Sequence, residues 1–530
     1  MVKNSRTLKR EGPDGVEQAT EIFEPSDVVK SLLARHGVAM TPPDERLGTH
    51  SVRWEGKSFV LPSSPVPMGL RDSADVLYRK ADEEEQEITI SEIIDALPWD
   101  GAQAFELAVQ DLFGWGIWQP QASFWGKIPP TMRTIRTGPG PQDTKQVFWG
   151  EVYVPQLDAT LTTGIGTKDG RTVFHIRGSI AKKTRYQVET LLALARIYAD
   201  ERSIYKGKAF RMFVKPSGAL DDDKEPEFIK VDHSLEKDLI FSDTVRSQIE
   251  TNLFAPIKYP QACRKLGIPL KRGILLEGPY GVGKSMTAAV TASLATQHGY
   301  TFIMLDRVSG LKSVLDFAHR YAPVVVFAED IDRIIAGEDR TFSIDDVLNT
   351  LDGVQGKSHE IITVLTTNHA DKINRAMLRP GRLDAIVSVS PPDAAAAERL
   401  MRLYGRGLIK PETTLENAGK AIAGHIPAVI REVVERAKLA AIHRTGGVPE
   451  DLVDSDLVTA AETMKTHLDL MGGQKVEPPT PAEMIGNGFV ALLNQGLPSD
   501  GERAIQRDTD KLKRDLVNIA NGLGVKIDKE

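Results

Sequence analysis

Hydrophobic and polar positions change their rhythm along this chain. In the N-terminal part, Gln146 to Val154 and Arg171 to Arg177 alternate with the period of two that marks strands with one buried face. Asp169-Gly170 sits between Thr160 and Val173 as a hairpin-type turn. Val188, Leu191, Leu192, Ala195 and Tyr198 then recur at helical spacing over Tyr186 to Tyr198, and a short apolar run follows at Phe210 to Val214. That mixture predicts an α+β domain. Further on the alternation disappears. Arg272 to Glu277, Val324 to Phe327 and Ile361 to Leu365 are continuous apolar runs, the pattern of strands covered on both faces of a parallel sheet. Met286 to His298 is alanine-rich and reads as a helix.

Breaks in the pattern divide the chain. Residues 1–20 read as a disordered lead-in, 21–220 as the N-terminal α+β part that recognises a substrate or partner, and 221–237 as a linker around Asp221-Asp222-Asp223. The stretch from Gly472-Gly473-Gln474 to Pro478-Pro479-Thr480-Pro481 has linker composition. It opens a C-terminal segment, 473–530, in which Ile505, Leu512, Leu516 and Ile519 fall on one helical face.

A length of 530 residues implies about three or four domains. The hydrophobic share of 41% and charged share of 26% are those of ordinary globular proteins, so neither wholesale disorder nor a membrane class is indicated. Acidic residues outnumber basic ones by 73 to 66, which argues against nucleic acid as the main partner. No window approaches the roughly 18 apolar residues of a membrane span, and Met1 to Gly15 has no apolar core, so a cytoplasmic location and no membrane partner are expected. The single cysteine, Cys263, excludes an intramolecular disulfide and favours a reducing compartment. All six tryptophans precede residue 150. Trp115, Trp118, Phe124 and Trp125 form either a stacking surface or, as most such clusters do, part of a core.

The candidate chemistry follows the first continuous apolar run. Gly278-Pro279-Tyr280-Gly281-Val282-Gly283-Lys284-Ser285 lies between that strand and the helix that begins at Met286, the order in which a loop can wrap phosphates. Its glycines let backbone N–H groups turn inward at the positive end of the helix; Lys284 supplies a compact cation for the β- and γ-phosphates, and Ser285 offers a hydroxyl to Mg²⁺. Ala328-Glu329-Asp330-Ile331-Asp332 places acids at the end of the second apolar run, where they can reach that metal. Thr366-Thr367-Asn368 ends the third, and the Asn368 amide can orient an attacking water or touch the γ-phosphate. ATP and Mg²⁺ are the cofactors this set calls for.

With those residues in place, Leu239 to Met471 resembles the classical AAA branch of AAA+ ATPases. Ala255-Pro256-Ile257-Lys258-Tyr259-Pro260 with Leu266-Gly267-Ile268-Pro269 is similar to that family's approach to the loop. Leu351-Asp352-Gly353 is similar to its intersubunit-signalling segment, and Leu378-Arg379-Pro380-Gly381-Arg382-Leu383-Asp384 to its second region of homology. The resemblance implies an AAA+ parallel α/β sheet sandwiched by helices over 238–390, and a small helical lid over 391–472 that includes Pro427 to Ala441. It also implies roles: Glu329 serving Mg²⁺, Asp330 polarising water, Asn368 as sensor 1, and Arg379 and Arg382 as fingers into the site of the next subunit of a ring, expected to be a hexamer.

Two departures qualify it. The family usually writes the acid pair Asp-Glu; here the order is Glu329-Asp330, and the shorter side chain implies slower hydrolysis or a tighter closure. Glu329-Asp330-Ile331-Asp332 and Thr366-Thr367-Asn368-His369 are similar to Bcs-type AAA proteins. Peptide-threading relatives carry an aromatic-hydrophobic-glycine loop where this chain has Asp306-Arg307-Val308-Ser309-Gly310-Leu311, without an aromatic; Phe342 either faces a pore instead or belongs to the core. The expectation is an ATPase that remodels or moves a protein partner. The alternatives are a slow nucleotide-gated scaffold and, less favoured by the charge balance, a nucleic-acid motor.

Overall fold

The alternating stretches of the N-terminal part assemble into an antiparallel sheet because each has one apolar face to bury. The computed structural model describes residues 25–40, 85–123, 126–129, 131–168, 171–215, 217–221, 224–331, 360–369 and 383–472, with shorter backbone segments before residue 85. In the lead-in expected to be unstructured, Ser5–Glu11 pairs with Glu17–Phe23; nothing there is apolar enough to announce a strand.

Helix α1 (Asp27–Arg35) is capped by Ser26. Strand β1 (Glu87–Ile94) then leads to helix α2 (Pro98–Phe113), β2 (Ile117–Trp118), β3 (Thr131–Arg136), β4 (Thr144–Val154), β5 (Ala159–Lys168), β6 (Arg171–Ala181) and helix α3 (Arg185–Glu201). The sheet runs β1-β6-β5-β4-β2, with β3 also on β4. Its register pairs Lys168 with Arg171, while Asp169-Gly170, expected as a hairpin-type turn, lies outside the described residues. Trp99 is 2% exposed and Trp149 half-buried, so these two are core, whereas Trp115 is 53% exposed. Phe124 and Trp125, and the side chain of Trp118, lie outside the described residues.

The continuous apolar runs form a second sheet, ordered β8-β7-β10-β11-β12-β9-β13. Its strands are β7 (Ala209–Met212), β8 (Glu227–Phe228), β9 (Arg272–Glu277), β10 (Thr301–Leu305), β11 (Val324–Ala328), β12 (Ile361–Thr367) and β13 (Ala385–Ser388). All its pairings are parallel except β7 with β8. Helix α4 (Asp243–Ile249) lies ahead of β9, helix α5 (Lys284–Gln297) follows it, and α6 (Leu311–Ala318) links β10 to β11 through a 3-10 turn at His319–Tyr321. Three helices make the lid: α7 (Ala394–Gly405), capped by Asp393, α8 (Glu416–Ile422) and α9 (Pro427–Thr445). Helix α10 (Asp454–Gly472) ends the described chain, which divides after Ala461 into a large unit and a C-terminal one. The tail residues Ile505, Leu512, Leu516 and Ile519 lie outside the described residues.

This sheet moves the expected boundary. Residues 209–212 and 227–228 lie on either side of the Asp221-Asp222-Asp223 run, yet both belong to the second sheet. The run Phe210 to Val214 completes no N-terminal sheet, and the segment 221–237 is more than a linker. Parallel pairing with β10 is a contact between residues about ninety apart, which no local pattern announces.

One hydrophobic core runs from Val29 and Leu33 through Phe105, Val152 and Phe174 to Ile303 and Val326. At the junction Tyr205 stacks on Phe228 with centroids 5.3 Å apart, and Tyr321 lies 5.1 Å from Phe317 and 6.4 Å from Phe210. Within this apolar zone sits a carboxylate, Asp100, 1% exposed. It accepts hydrogen bonds from the Ile204 N–H (2.8 Å), the Ser203 hydroxyl (2.6 Å) and the Tyr321 hydroxyl (3.2 Å). Burial outweighs those bonds and the charge of Arg320, and pushes its pKa up to about 6.

Because the folded state holds this proton more tightly than the unfolded one, stability from Asp100 is fully present below pH 3.8 and is lost as pH rises through 6. A shift of about two units corresponds to about 3 kcal/mol. Asp100→Asn is expected to flatten the fall in urea midpoint between pH 4 and 7 relative to the native chain. An unchanged pH dependence contradicts the assignment.

Candidate nucleotide site

The loop after β9 is shaped by two glycines that no other residue can replace. Gly278 has φ +148°, and a Cβ there would collide with the Val389 carbonyl oxygen beyond β13. Its N–H donates to the Thr367 carbonyl at 3.2 Å, which ties the loop to the end of β12. Gly283, with φ +110°, precedes α5, and the Phe241 ring lies 3.2 Å from where its Cβ would stand. No side chain caps α5. Its first N–H groups and the positive end of its dipole therefore face the loop's concavity, an arrangement suited to phosphate.

Lys284, 8% exposed, fills that concavity. Its ammonium donates to the carbonyls of Gly278 (2.6 Å) and Pro279 (2.8 Å) and to the Asn368 side-chain oxygen (2.8 Å). The Asn368 amide donates in turn to Asp330 Oδ1 at 3.1 Å. Asp330 stands just past β11 with φ +54°, left-handed and costly for a non-glycine residue. The turn is pinned to β12: the Asp330 N–H donates to Thr366 Oγ1 (3.0 Å) and the Ile331 N–H to the Thr366 carbonyl (2.9 Å). Lys284, Asn368 and Asp330, at least 38 residues apart in sequence, thus form one hydrogen-bonded chain across the ends of three strands. Glu329 is half-buried beside them.

The other loop residues divide by exposure. Val282 is buried and Met286 half-buried, whereas Pro279, Gly281, Ser285 and Tyr280 are exposed, the last to 66%. The Ser285 hydroxyl in the first turn of α5 and the acids beyond β11 are hard oxygen donors of the kind Mg²⁺ takes. Among the described residues no group of three or more His, Cys, Asp or Glu is disposed to hold a metal ion alone. The donor set therefore fits an ion that draws its remaining ligands from phosphate and water.

Beside the loop lies a cavity of about 590 Å³, lined among others by Ile240, Phe241, Gly283, Met286, Tyr404 and Arg431. That size suits a small organic ligand. Its walls come from the sheet module and the lid together. Arg399 on α7 joins them, donating to the Phe241 carbonyl (2.7 Å) and to Asp243 (2.9 Å), while Ile426 packs on Gly281. Arg431 lies over the Tyr404 ring at 4.8 Å. The roles of Arg399 and Tyr404 escaped sequence reasoning, because nothing local marks a lid side chain that reaches back to residue 241. Arg379, Arg382, Leu351-Asp352-Gly353 and Phe342 lie outside the described residues.

Residues 274–391 match the family described as ATPase family associated with various cellular activities (AAA). The matched span covers β9 to β13, so the chain carries an AAA domain with an AAA+ fold. Protein CdcH of Halobacterium salinarum is 27% identical over 229 residues, 40% of this chain and 30% of that protein. The ATP-dependent zinc metalloprotease FtsH 1 of Petrotoga mobilis is 30% identical over 39% of this chain and 34% of its own length. The proteasome-activating nucleotidase of Methanocaldococcus jannaschii is 26% identical over 54% of this chain and 64% of its own. The chain thus spans less than two thirds of each of these relatives, and for two of them about one third.

Gly278→Ala is expected to displace the loop from Val389, abolish binding of a fluorescent ATP analogue and lower stability by about 2 kcal/mol or more. Gly267→Ala, with positive φ but open space around it, is expected to cost about 1 kcal/mol and leave nucleotide binding intact. Equal behaviour of the two variants contradicts the close-approach argument.

Proposed function

We propose that this chain is a Mg²⁺-dependent ATP hydrolase that works as a ring, a hexamer by resemblance, and uses hydrolysis to remodel or move a protein partner engaged by its N-terminal module. The observation that carries the reading is the chain Lys284–Asn368–Asp330 at the mouth of an uncapped helix. A triphosphate draws the Lys284 ammonium from neutral carbonyls to charged oxygens, where its hydrogen bonds are about twice as strong. Asn368, released from Lys284, keeps its hold on Asp330 and lies where a γ-phosphate or attacking water is to be sensed. Asp330 takes the proton of that water, and its left-handed backbone aims a side chain one methylene shorter than glutamate. Ser285 and Glu329 would hold Mg²⁺, which would neutralise charge at the phosphates. Gly278, Pro279, Tyr280, Gly281, Val282, Gly283 and Met286 form the cradle, and Arg379 and Arg382 complete the site of the neighbouring subunit.

Relatives named as a proteasome-activating nucleotidase and ATP-dependent metalloproteases support a protein as the partner. No helix among the described residues is long and apolar enough to cross a membrane. A second reading, a slow nucleotide-gated scaffold, is favoured by the burial of Val308 and Leu311, where threading relatives present a gripping loop. Stimulation of turnover by a protein substrate separates the two: a remodelling motor is accelerated and a scaffold is not.

Lys284→Ala is expected to eliminate tight ATP binding. Asp330→Asn retains binding but lowers kcat by about 100-fold or more. Arg379→Ala or Arg382→Ala abolishes turnover alone yet leaves nucleotide affinity within about three-fold. Full turnover of either arginine variant at high protein concentration rules out the shared site.

A further inference from the structure

The segment 306–311, which threading ATPases expose to their substrate, is covered here by the chain's own residues 213–221. Val308 is 6% exposed, Ser309 2% and Leu311 0%. The cover is a tight turn in which Val214 bridges Leu220 and the Lys215 N–H donates to the Ala219 carbonyl at 2.8 Å. The end of β7 and this turn hold the stretch from Asp306 to Ser313 at both ends. The Asp306 N–H donates to the Met212 carbonyl (3.3 Å), and Ser313 Oγ to the Gly218 carbonyl (2.8 Å). Between them the backbones nearly touch: a Cβ on Gly218 would stand 2.8 Å from the Ser309 carbonyl oxygen, and one on Gly310 would stand 3.0 Å from Val214 Cβ.

A second joint holds the far end of α6. The Tyr321 hydroxyl donates to Asp100 (3.2 Å) and accepts from the Leu97 N–H (3.4 Å) at the start of α2. Arg171 donates to the Asp316 carbonyl at 3.3 Å, and Arg320 lies 3.8 Å from Asp95 and 3.6 Å from Asp200. The stretch from Asp306 to Tyr321 is thus held at its start by the turn between β7 and β8 of its own sheet, and at its end by the N-terminal module. That same stretch leads directly into β11, which ends at Glu329-Asp330.

We propose that residues 306–321, seated on the turn between β7 and β8 of the same sheet, are an internal coupling element that carries changes at the nucleotide site into the N-terminal module through the Tyr321–Asp100 bond, and that they do not grip an unfolded polypeptide. The inference rests on the ATPase reading above. The moving part that meets a partner is then the N-terminal module, and Tyr321 is a positioning residue for Asp330.

Val214→Cys with Gly310→Cys tests it, since the two Cβ positions, 3.0 Å apart, need to part by only about half an ångström to reach disulfide spacing, and the native Cys263 is buried. With the pair oxidised, ATP turnover is expected to stay within about two-fold of the reduced protein, because turn and segment move as one body. A reduced protein without ATPase activity refutes the ATPase reading; an active reduced form that loses turnover on oxidation overturns the inference alone. Should the cysteine pair not fold, Tyr321→Phe gives an independent measurement on the full chain. It is expected to lower kcat about five-fold with KM for ATP within about two-fold of native, while Asp100→Asn, which keeps a hydrogen bond to Tyr321, retains the rate. Any other outcome for this pair of variants overturns the coupling.

Discussion

The Lys284 ammonium, sunk almost out of water, is the charge around which the rest of the site is ordered. A cation at such depth is tolerable only with its donors engaged, and its partners come from the loop after β9 and the end of β12. That requirement explains the close approach of Gly278 to both Thr367 and Val389. It also explains the strained backbone at Asp330, which brings a third strand end into the same hydrogen-bonded chain. Parallel strands end on the same side, so β9, β11 and β12 deliver these groups together without any one of them reaching far.

The place of the loop Gly278 to Gly283 between a strand and a helix, and the strands that frame it, were legible in the sequence because their determinants are local. Arg272 to Glu277 is observed with the bounds read from its apolar run, and the helix read from Met286 starts two residues earlier, at Lys284. Such runs can lie only where both faces are covered. The Asn368–Asp330 bond was not legible in that way, since it depends on how far β12 extends past β11 and on a backbone angle at Asp330. Composition misplaced the N-terminal boundary for a related reason. Three successive aspartates suggest a break between domains, and here the run falls in sequence between two strands of one sheet.

The buried Asp100 is the acidic counterpart of Lys284. It is isolated from the nucleotide residues in sequence, yet it bonds Tyr321, three residues before β11. Polar groups in an apolar junction fix geometry more sharply than packing alone, because a small slip leaves a donor or acceptor unsatisfied. The aromatic group of Tyr205, Phe210, Phe228, Phe317 and Tyr321 supplies the adhesion, and the Asp100 bonds supply the register.

Strand β7 carries a further consequence for how this protein can be cut. It covers the flank of β10, and β8 covers β7 in turn. A fragment beginning at the acidic run would keep every residue of the loop Gly278 to Ser285 but leave β10 as a bare, apolar edge with its amides and carbonyls open to pairing with another molecule. The smallest piece that retains the sheet therefore begins before Ala209, inside what composition marks as another domain.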